Sequence, residues 1–148
     1  FLLPPFHGGG RREITHRPKC YSFDTGFVTF VKGWDNIRED DRGILWEHLV
    51  FDILRTVSNE HDLFYWRDKS GREIDFVVKG KRESTDTIEC KVNPDSFDAK
   101  ALSAFRSVYQ EGRNYVVSPN IKSSYQRRQQ DLLINYIPGS QLFRIFNN

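Results

Sequence analysis

The most regular pattern of apolar and polar positions in the chain lies between residues 43 and 57. Large apolar residues recur there at intervals of three and four, which predicts an amphipathic helix. They are Leu45, Trp46, Leu49, Val50, Ile53, Leu54 and Val57. At ~100° per residue, Glu47 lies at the edge of this apolar stripe. Its carboxylate can therefore reach past the core towards a neighbouring sheet.

Three segments after this helix have the composition and alternation of β-strands. They cover Leu63–Arg67, Glu73–Lys79 and 87–92. The turns between them are short and polar, so an antiparallel arrangement of neighbouring strands is the simplest topology. A second helix is predicted over 96–111, and a further strand over Asn114–Ser118.

Weaker patterns lie towards the two ends of the chain. A linker or docking arm is predicted for residues 1–18, and a single domain for residues 19–148. The remaining predicted elements are a short strand at 19–23, a polar loop at 33–42, a helix at 125–137 and a last strand at Leu142–Phe146. The order helix, three strands, helix, strand is that of an α/β fold with a mixed sheet flanked by helices.

Length and composition support a single globular domain. The chain has 148 residues, of which 38% are hydrophobic and 14% aromatic, enough to form a substantial core. No run approaches the ~18 apolar residues of a membrane span. Two cysteines do not make a disulfide framework, and the four histidines have no metal-ligand spacing with them. We therefore expect a cytoplasmic protein that does not bind zinc or a membrane.

Charge is distributed unevenly along the chain. The net charge is only +2, yet residues 99–148 hold seven basic residues and two acidic ones. A basic region of this kind suits a polyanion such as nucleic acid. It is equally typical of a solvated basic surface.

The predicted pairing of two strands places two acidic residues next to each other. If Lys79 pairs with Thr85 across a loop at 80–84, Asp75 lies directly opposite Glu89. Cross-strand partners are separated by ~4.5–5.5 Å at Cβ. The two carboxylates are therefore expected to be neighbours.

Alternation along the same strands separates apolar from charged side chains. The apolar face is predicted to carry Ile74, Phe76 and Val78 from one strand, and Ile88, Cys90 and Val92 from the next. The opposite face carries Asp75, Glu89 and Lys91. Two carboxylates are typical ligands of Mg²⁺, which keeps several water molecules. A cation bound there would promote attack of water on phosphorus, and Lys91 could orient that water or neutralise charge on the phosphate.

These residues carry a resemblance to a known family. Asp75, followed after thirteen residues by Glu89-Cys90-Lys91 and preceded by a helical Glu47, resembles the signature of PD-(D/E)XK nucleases. Further motifs occur in series: Lys19-Cys20-Tyr21-Ser22-Phe23-Asp24-Thr25-Gly26, Gly43-Ile44-Leu45-Trp46-Glu47, Tyr65-Trp66-Arg67, Glu73-Ile74-Asp75-Phe76 and Ile88-Glu89-Cys90-Lys91. The series, over roughly residues 1–118, is similar to the PD-(D/E)XK-like domain at the C-terminus of many prokaryotic AAA+ ATPases. Ile74 stands where a proline gives the signature its name.

The resemblance implies a restriction-endonuclease-like αβββαβ core and an ATPase domain upstream in the same protein. The chain contains no methionine, and we expect it to be a fragment of such a protein. By this resemblance Asp75, Glu89 and Glu47 would be metal ligands and catalytic acids, and Lys91 the catalytic lysine. The implied cofactor is Mg²⁺ or Mn²⁺, and the implied activity is hydrolysis of DNA or RNA.

Two further basic residues are candidates for contact with nucleic acid. Arg67 ends a strand after two aromatic residues, and Lys100 lies in the second predicted helix. A hairpin-capping or salt-bridge role explains Arg67 equally well. For Lys100, a solvated position on the helix surface is the favoured interpretation. Many members of the superfamily have lost catalysis, so the alternative function is an inactive module that binds nucleic acid or docks onto the ATPase. A nuclease fold alone does not decide between the two.

Overall fold

The computed structural model describes residues 1–8 and 17–147 of the chain. Its elements, in chain order, are β1 (Leu2–Leu3), β2 (Lys19–Cys20), α1 (Thr25–Lys32), α2 (Glu39–Val57), β3 (Leu63–Arg67), β4 (Glu73–Lys79), β5 (Thr85–Cys90), α3 (Lys100–Arg106), β6 (Asn114–Ser118), β7 (Tyr125–Gln129), β8 (Leu132–Pro138) and α4 (Leu142–Phe146). Short 3₁₀ turns precede β3, β5, α3 and α4.

A six-stranded mixed sheet in the order β3-β4-β5-β6-β8-β7 forms the middle layer. Strands β3, β4 and β5 are an antiparallel meander, whereas β5, β6 and β8 run parallel to one another. Strand β7 closes the far edge by pairing antiparallel with β8. The prediction of an α/β fold with a mixed sheet flanked by helices is confirmed.

Apolar side chains cover both faces of this sheet. On one face, Val50, Phe51 and Leu54 of α2 pack with Leu142 of α4 against the sheet. On the other face, helix α3 contributes Leu102, Phe105 and neighbouring apolar residues to a second buried cluster. The molecule is therefore a three-layer structure in which α2 and α3 lie on opposite sides of β4 and β5.

Several sequence predictions hold with small changes of boundary. The strands at Leu63–Arg67, Glu73–Lys79 and Asn114–Ser118 are confirmed, and the strand at 87–92 lies instead at Thr85–Cys90. Helix α2 begins at Glu39 rather than at 43, so the predicted loop at 33–42 is wrong from Glu39 onwards. Three acidic residues in the first turn favour the early start, since they stabilise the positive end of the helix dipole.

Other predictions are wrong in the type of element. The helix predicted at 125–137 is the hairpin of β7 and β8, whose turn residues Gln130 and Asp131 both have positive φ. That geometry is the one that two-residue hairpin turns require. The strand predicted at the C-terminal end is helix α4, and the helix predicted over 96–111 is confined to Lys100–Arg106.

The sequence pattern also missed helix α1, which begins where Asp24 caps the backbone. An Asp24 carboxylate oxygen accepts a hydrogen bond from the Phe27 N–H at 2.6 Å. An acidic side chain at this position satisfies a donor that the helix itself leaves unpaired. The predicted strand at 19–23 is correspondingly short, because only Lys19–Cys20 is a strand.

The beginning of the chain is packed onto the domain. Leu3 pairs with Lys19 in a small antiparallel sheet, and the Leu3 side chain is buried. Phe6 is also buried, in the cluster on the α3 face. The central part of the predicted linker at 1–18 lies outside the described residues. Among the described residues, no helix has the length and apolar character needed to cross a membrane.

Candidate functional site

The predicted register between β4 and β5 is confirmed. Lys79 pairs with Thr85, and the last pair of this ladder is Phe76 with Ile88. The predicted pair of Asp75 with Glu89 lies one step beyond the end of this ladder. The backbone N–H of the next residue, Cys90, donates a hydrogen bond to Asp75 Oδ2 at 2.8 Å. Asp75 is therefore held at the strand end by its neighbour's backbone.

A β-bulge between β3 and β4 lies at Asp75. The pairs on either side of the register shift are Phe64 with Val77 and Trp66 with Ile74. Two residues of β4, Asp75 and Phe76, thus oppose a single residue of β3. Bulges of this kind re-aim a side chain at the point where pairing is interrupted.

The bulge changes the faces that alternation predicts. Ile74 packs with Val77 in the cluster on the α3 side, whereas Phe76 and Val78 pack on the α2 side. The prediction that Ile74 shares a face with Phe76 and Val78 is therefore wrong. The charges of Lys91, Glu47 and Lys19 all act on Asp75.

Lys91 joins the two carboxylates at the ends of their strands. Its Nζ atom is 3.0 Å from Glu89 Oε2 and 3.9 Å from Asp75 Oδ2. The Lys91 backbone N–H donates to the Val117 carbonyl, which continues the pairing of β5 with β6. The exposed fraction of the side chain is 7% for Glu89, 15% for Asp75 and 29% for Lys91. The ammonium group thus lies at the mouth of a largely buried acidic pair.

Glu47 approaches the same region from α2 and is held by two donors. Its Oε1 atom accepts a hydrogen bond from Lys19 Nζ at 3.0 Å and another from the Tyr21 hydroxyl. Lys19 also forms an ion pair with Glu73 at the start of β4. Sequence reasoning did not single out Lys19, Tyr21 or Glu73 as site residues, although Lys19 and Tyr21 lie in the first motif of the resemblance.

The structure separates the two candidate basic residues. Arg67 forms an ion pair with Glu73, which links it to the edge of the charged cluster through Lys19. Lys100 is exposed at the start of α3 and forms an ion pair with Asp98 at 3.0 Å. Eight residues together form what we call the charged cluster. They are Lys19, Tyr21, Glu47, Arg67, Glu73, Asp75, Glu89 and Lys91.

Burial raises the pKa of both central carboxyl groups. Desolvation is the larger cause for Glu89, with the Asp75 charge adding to it, and together they raise the pKa of Glu89 to about 8. Burial also raises the pKa of Asp75, and Lys91 only partly opposes it. For Lys91 itself, burial lowers the pKa, but the charges of Glu89 and Asp75 outweigh it and the net shift is upward.

This donor set fits a hard divalent cation. Two carboxylates lie close together in a desolvated setting that penalises their negative charge, and a cation would relieve that penalty. Mg²⁺ is usually held by one or two carboxylates and completes its shell with water. Within residues 1–8 and 17–147, no group of three or more His, Cys, Asp and Glu side chains is arranged around a common metal position. Asp75 and Glu89 would therefore form a two-carboxylate site.

Fold and site together define an α/β domain with a charged cluster at the ends of two central strands. Residues 42–138 match the family described as "Domain of unknown function (DUF4143)". Because the match covers more than half of the chain, the protein belongs to this family. The matched residues include Glu47, Asp75, Glu89 and Lys91, whereas Lys19 and Tyr21 precede them.

Two mycobacterial proteins are similar to part of the chain. An uncharacterized protein of Mycobacterium bovis and one of Mycobacterium tuberculosis are each 32% identical to it over 82 residues. The matched region is 53% of this chain but only 18% of the length of either relative. No solved structure matches the chain significantly.

Proposed function

We propose that this domain is a divalent-metal-dependent phosphodiesterase that hydrolyses DNA or RNA. The observation that carries the proposal is the position of Lys91, whose ammonium nitrogen is 3.0 Å from Glu89 Oε2 and 3.9 Å from Asp75 Oδ2. The order α2, β3-β4-β5, α3, β6 supports a restriction-endonuclease-like core of the PD-(D/E)XK type. In such a core, an aspartate, a glutamate and a lysine would occupy the positions that Asp75, Glu89 and Lys91 have at the ends of β4 and β5.

Asp75 and Glu89 would hold Mg²⁺ or Mn²⁺ in this proposal. When bound, the cation would favour ionisation of water and withdraw electron density from the scissile phosphate. Two hydrogen-bond donors of the protein hold the carboxylates of Asp75 and Glu89 in place. The Cys90 N–H orients the Asp75 carboxylate, and the Lys91 ammonium orients that of Glu89. The remaining ligands would be water and substrate oxygens.

Lys91 would act directly on the substrate. Its raised pKa keeps it charged at neutral pH, and its position at the mouth of the acidic pair allows it to donate hydrogen bonds to a phosphate oxygen or to the attacking water. Water would add its oxygen to phosphorus as the bond to the leaving oxygen breaks. The products are a phosphate monoester and an alcohol, and the leaving oxygen takes a proton.

Glu47 has a different role in the proposal from the one that the resemblance assigns to it. Because its Oε1 accepts hydrogen bonds from Lys19 and Tyr21, this oxygen is already satisfied by protein donors. We assign Glu47 to positioning Lys19 rather than to the inner shell of the metal. In a longer cytoplasmic protein, an upstream ATPase domain would deliver the nucleic acid to this cluster.

Replacement of Asp75 by asparagine tests the proposal. Asparagine keeps the size and a hydrogen-bond acceptor for Cys90, but it removes the charge that the cation needs. We expect the wild type to cleave labelled single-stranded or double-stranded DNA or RNA with Mn²⁺, and Asp75→Asn to be slower by at least ~100-fold. The rate is followed by gel electrophoresis with enzyme in excess.

A matched control is available in the β7–β8 turn. Asp131 is an exposed aspartate with a φ of 65°, a conformation that asparagine tolerates well. Asp131→Asn should cleave like the wild type. If no substrate is cleaved by the wild type, or if Asp75→Asn cleaves equally fast, the proposal fails. In that case the inactive binding or docking module becomes the better interpretation.

A further inference from the structure

Lys19 is inserted into the charged cluster from a part of the chain distant in sequence. Its ammonium nitrogen contacts Glu47 Oε1 at 3.0 Å and forms an ion pair with Glu73. The charge of Asp75 also acts on it. The exposed fraction of the Lys19 side chain is 19%, much lower than is usual for a lysine on a protein surface.

The surrounding structure fixes the position of this lysine. Its backbone pairs with Leu3, which is buried in the core. Its ammonium lies 5.5 Å from the centre of the Tyr65 ring, within the range of a cation–π interaction. Two residues further on, Tyr21 stacks on Phe51 at 4.2 Å and donates to the same Glu47 oxygen. Lys19 is therefore a built-in part of the site and not a mobile surface side chain.

Lys19 neutralises part of the negative charge of the cluster. The cluster contains the four carboxylates of Glu47, Glu73, Asp75 and Glu89, and the three cations Lys19, Arg67 and Lys91. Burial alone lowers the pKa of Lys19, but Glu47, Glu73 and Asp75 raise it above its ordinary value. The ammonium group thus stays charged and neutralises carboxylates that would otherwise repel one another.

We infer that the Lys19 ammonium takes the place of a second divalent cation, so that the site holds a single metal ion. This inference rests on the proposed function, because it concerns the same carboxylates. Lys19 pairs with Glu47 Oε1 and with Glu73, which leaves Asp75 and Glu89 for one metal. A second ion beside Glu47 would have to approach the fixed positive charge of Lys19 at short range, where repulsion is strong.

Replacing Lys19 by methionine should therefore change the number of metal ions bound. Methionine keeps the length and apolar stem of the side chain but removes its charge. We expect the wild type to bind one Mn²⁺ per chain and Lys19→Met to bind two. In the double variant Lys19→Met with Glu47→Gln, the number should return to one. Isothermal titration calorimetry and the electron paramagnetic resonance of free Mn²⁺ both measure this number without reference to activity.

Two controls separate the loss of Lys19 from other effects. Lys19→Arg keeps the positive charge and should still bind one ion, and Lys122→Met removes an exposed lysine and should bind like the wild type. Circular dichroism confirms that each variant is folded. If folded Lys19→Met binds one ion, or the wild type binds two, the inference is overturned while the proposed function stands. If the wild type binds none, the proposed function itself is overturned.

Discussion

Substitution of Lys91 by methionine is expected to reduce the cleavage rate by ~10²–10³-fold, the loss typical of removing one donor that stabilises developing charge. The binding of Mn²⁺ should persist, since Asp75 and Glu89 remain. Removing the ammonium 3.0 Å from Glu89 Oε2 also removes a competing cation, so the metal affinity should rise or stay unchanged. This separation of binding from catalysis distinguishes a lysine that acts on the substrate from one that only supports the carboxylates.

The experiment combines single-turnover cleavage with a Mn²⁺ titration on the same preparation. Lys79→Met is the matched control, because Lys79 is an exposed lysine at the opposite end of β4. It should cleave and bind metal like the wild type. A Lys91→Met variant that cleaves at the wild-type rate would remove Lys91 from catalysis. One that loses Mn²⁺ binding together with cleavage would show that Lys91 is needed to build the site.

Substitution of Arg106 by methionine is expected to lower the free energy of unfolding by ~3–5 kcal/mol, because it leaves several buried acceptors without a donor and each of these costs ~1–3 kcal/mol. The five N–H donors of the guanidinium group, in a residue only 6% exposed, lie within hydrogen-bond distance of six acceptors, so that one N–H is shared between two of them. The acceptors are Asn114 Oδ1, the Thr85 hydroxyl and the carbonyl oxygens of Thr85, Tyr109, Glu111 and Arg113. Arg106 therefore ties the end of α3 to the beginnings of β5 and β6.

Methionine fills a similar volume but leaves these acceptors buried without a donor, which is more costly than losing the bonds themselves. Urea unfolding followed by circular dichroism measures the change. The stability of Arg106→Lys should lie between those of the wild type and Arg106→Met, because an ammonium group offers three donors instead of five. Arg128→Met, at an exposed arginine of β7, should have nearly the same free energy of unfolding as the wild type. An Arg106→Met variant as stable as the wild type would show that the network does not stabilise the domain.

The proximity of Asp75 and Glu89 could be predicted because it depends on local geometry. Asp75 and Glu89 belong to two strands joined by a short turn, so counting from the turn was enough to place them near each other at the same end of the hairpin. Hairpin register depends on loop length and on the alternation of the two strands. The bulge at Asp75 was not foreseen, because it depends on the pairing of β4 with β3 on its other side.

Lys19 shows why the rest of the cluster could not be found in the same way. Its contact with Glu47 joins residues 28 positions apart, and the strand that carries it is only two residues long. No periodic pattern marks so short an element. The prediction for the β7–β8 hairpin was wrong for a related reason. The side chains of Tyr125–Gln129 are largely exposed at the sheet edge, so no apolar alternation identifies the strand.

Anomalous X-ray diffraction from crystals soaked in Mn²⁺ would show directly whether Asp75 and Glu89 bind a metal ion. We expect one anomalous peak per chain, within ~2.5 Å of a carboxylate oxygen of both Asp75 and Glu89. Lys19 should remain in contact with Glu47 and Glu73. A soaked crystal without a peak at these carboxylates would rule out the proposed metal site. A peak found only between Glu47 and Glu73, with Lys19 displaced, would rule it out as well.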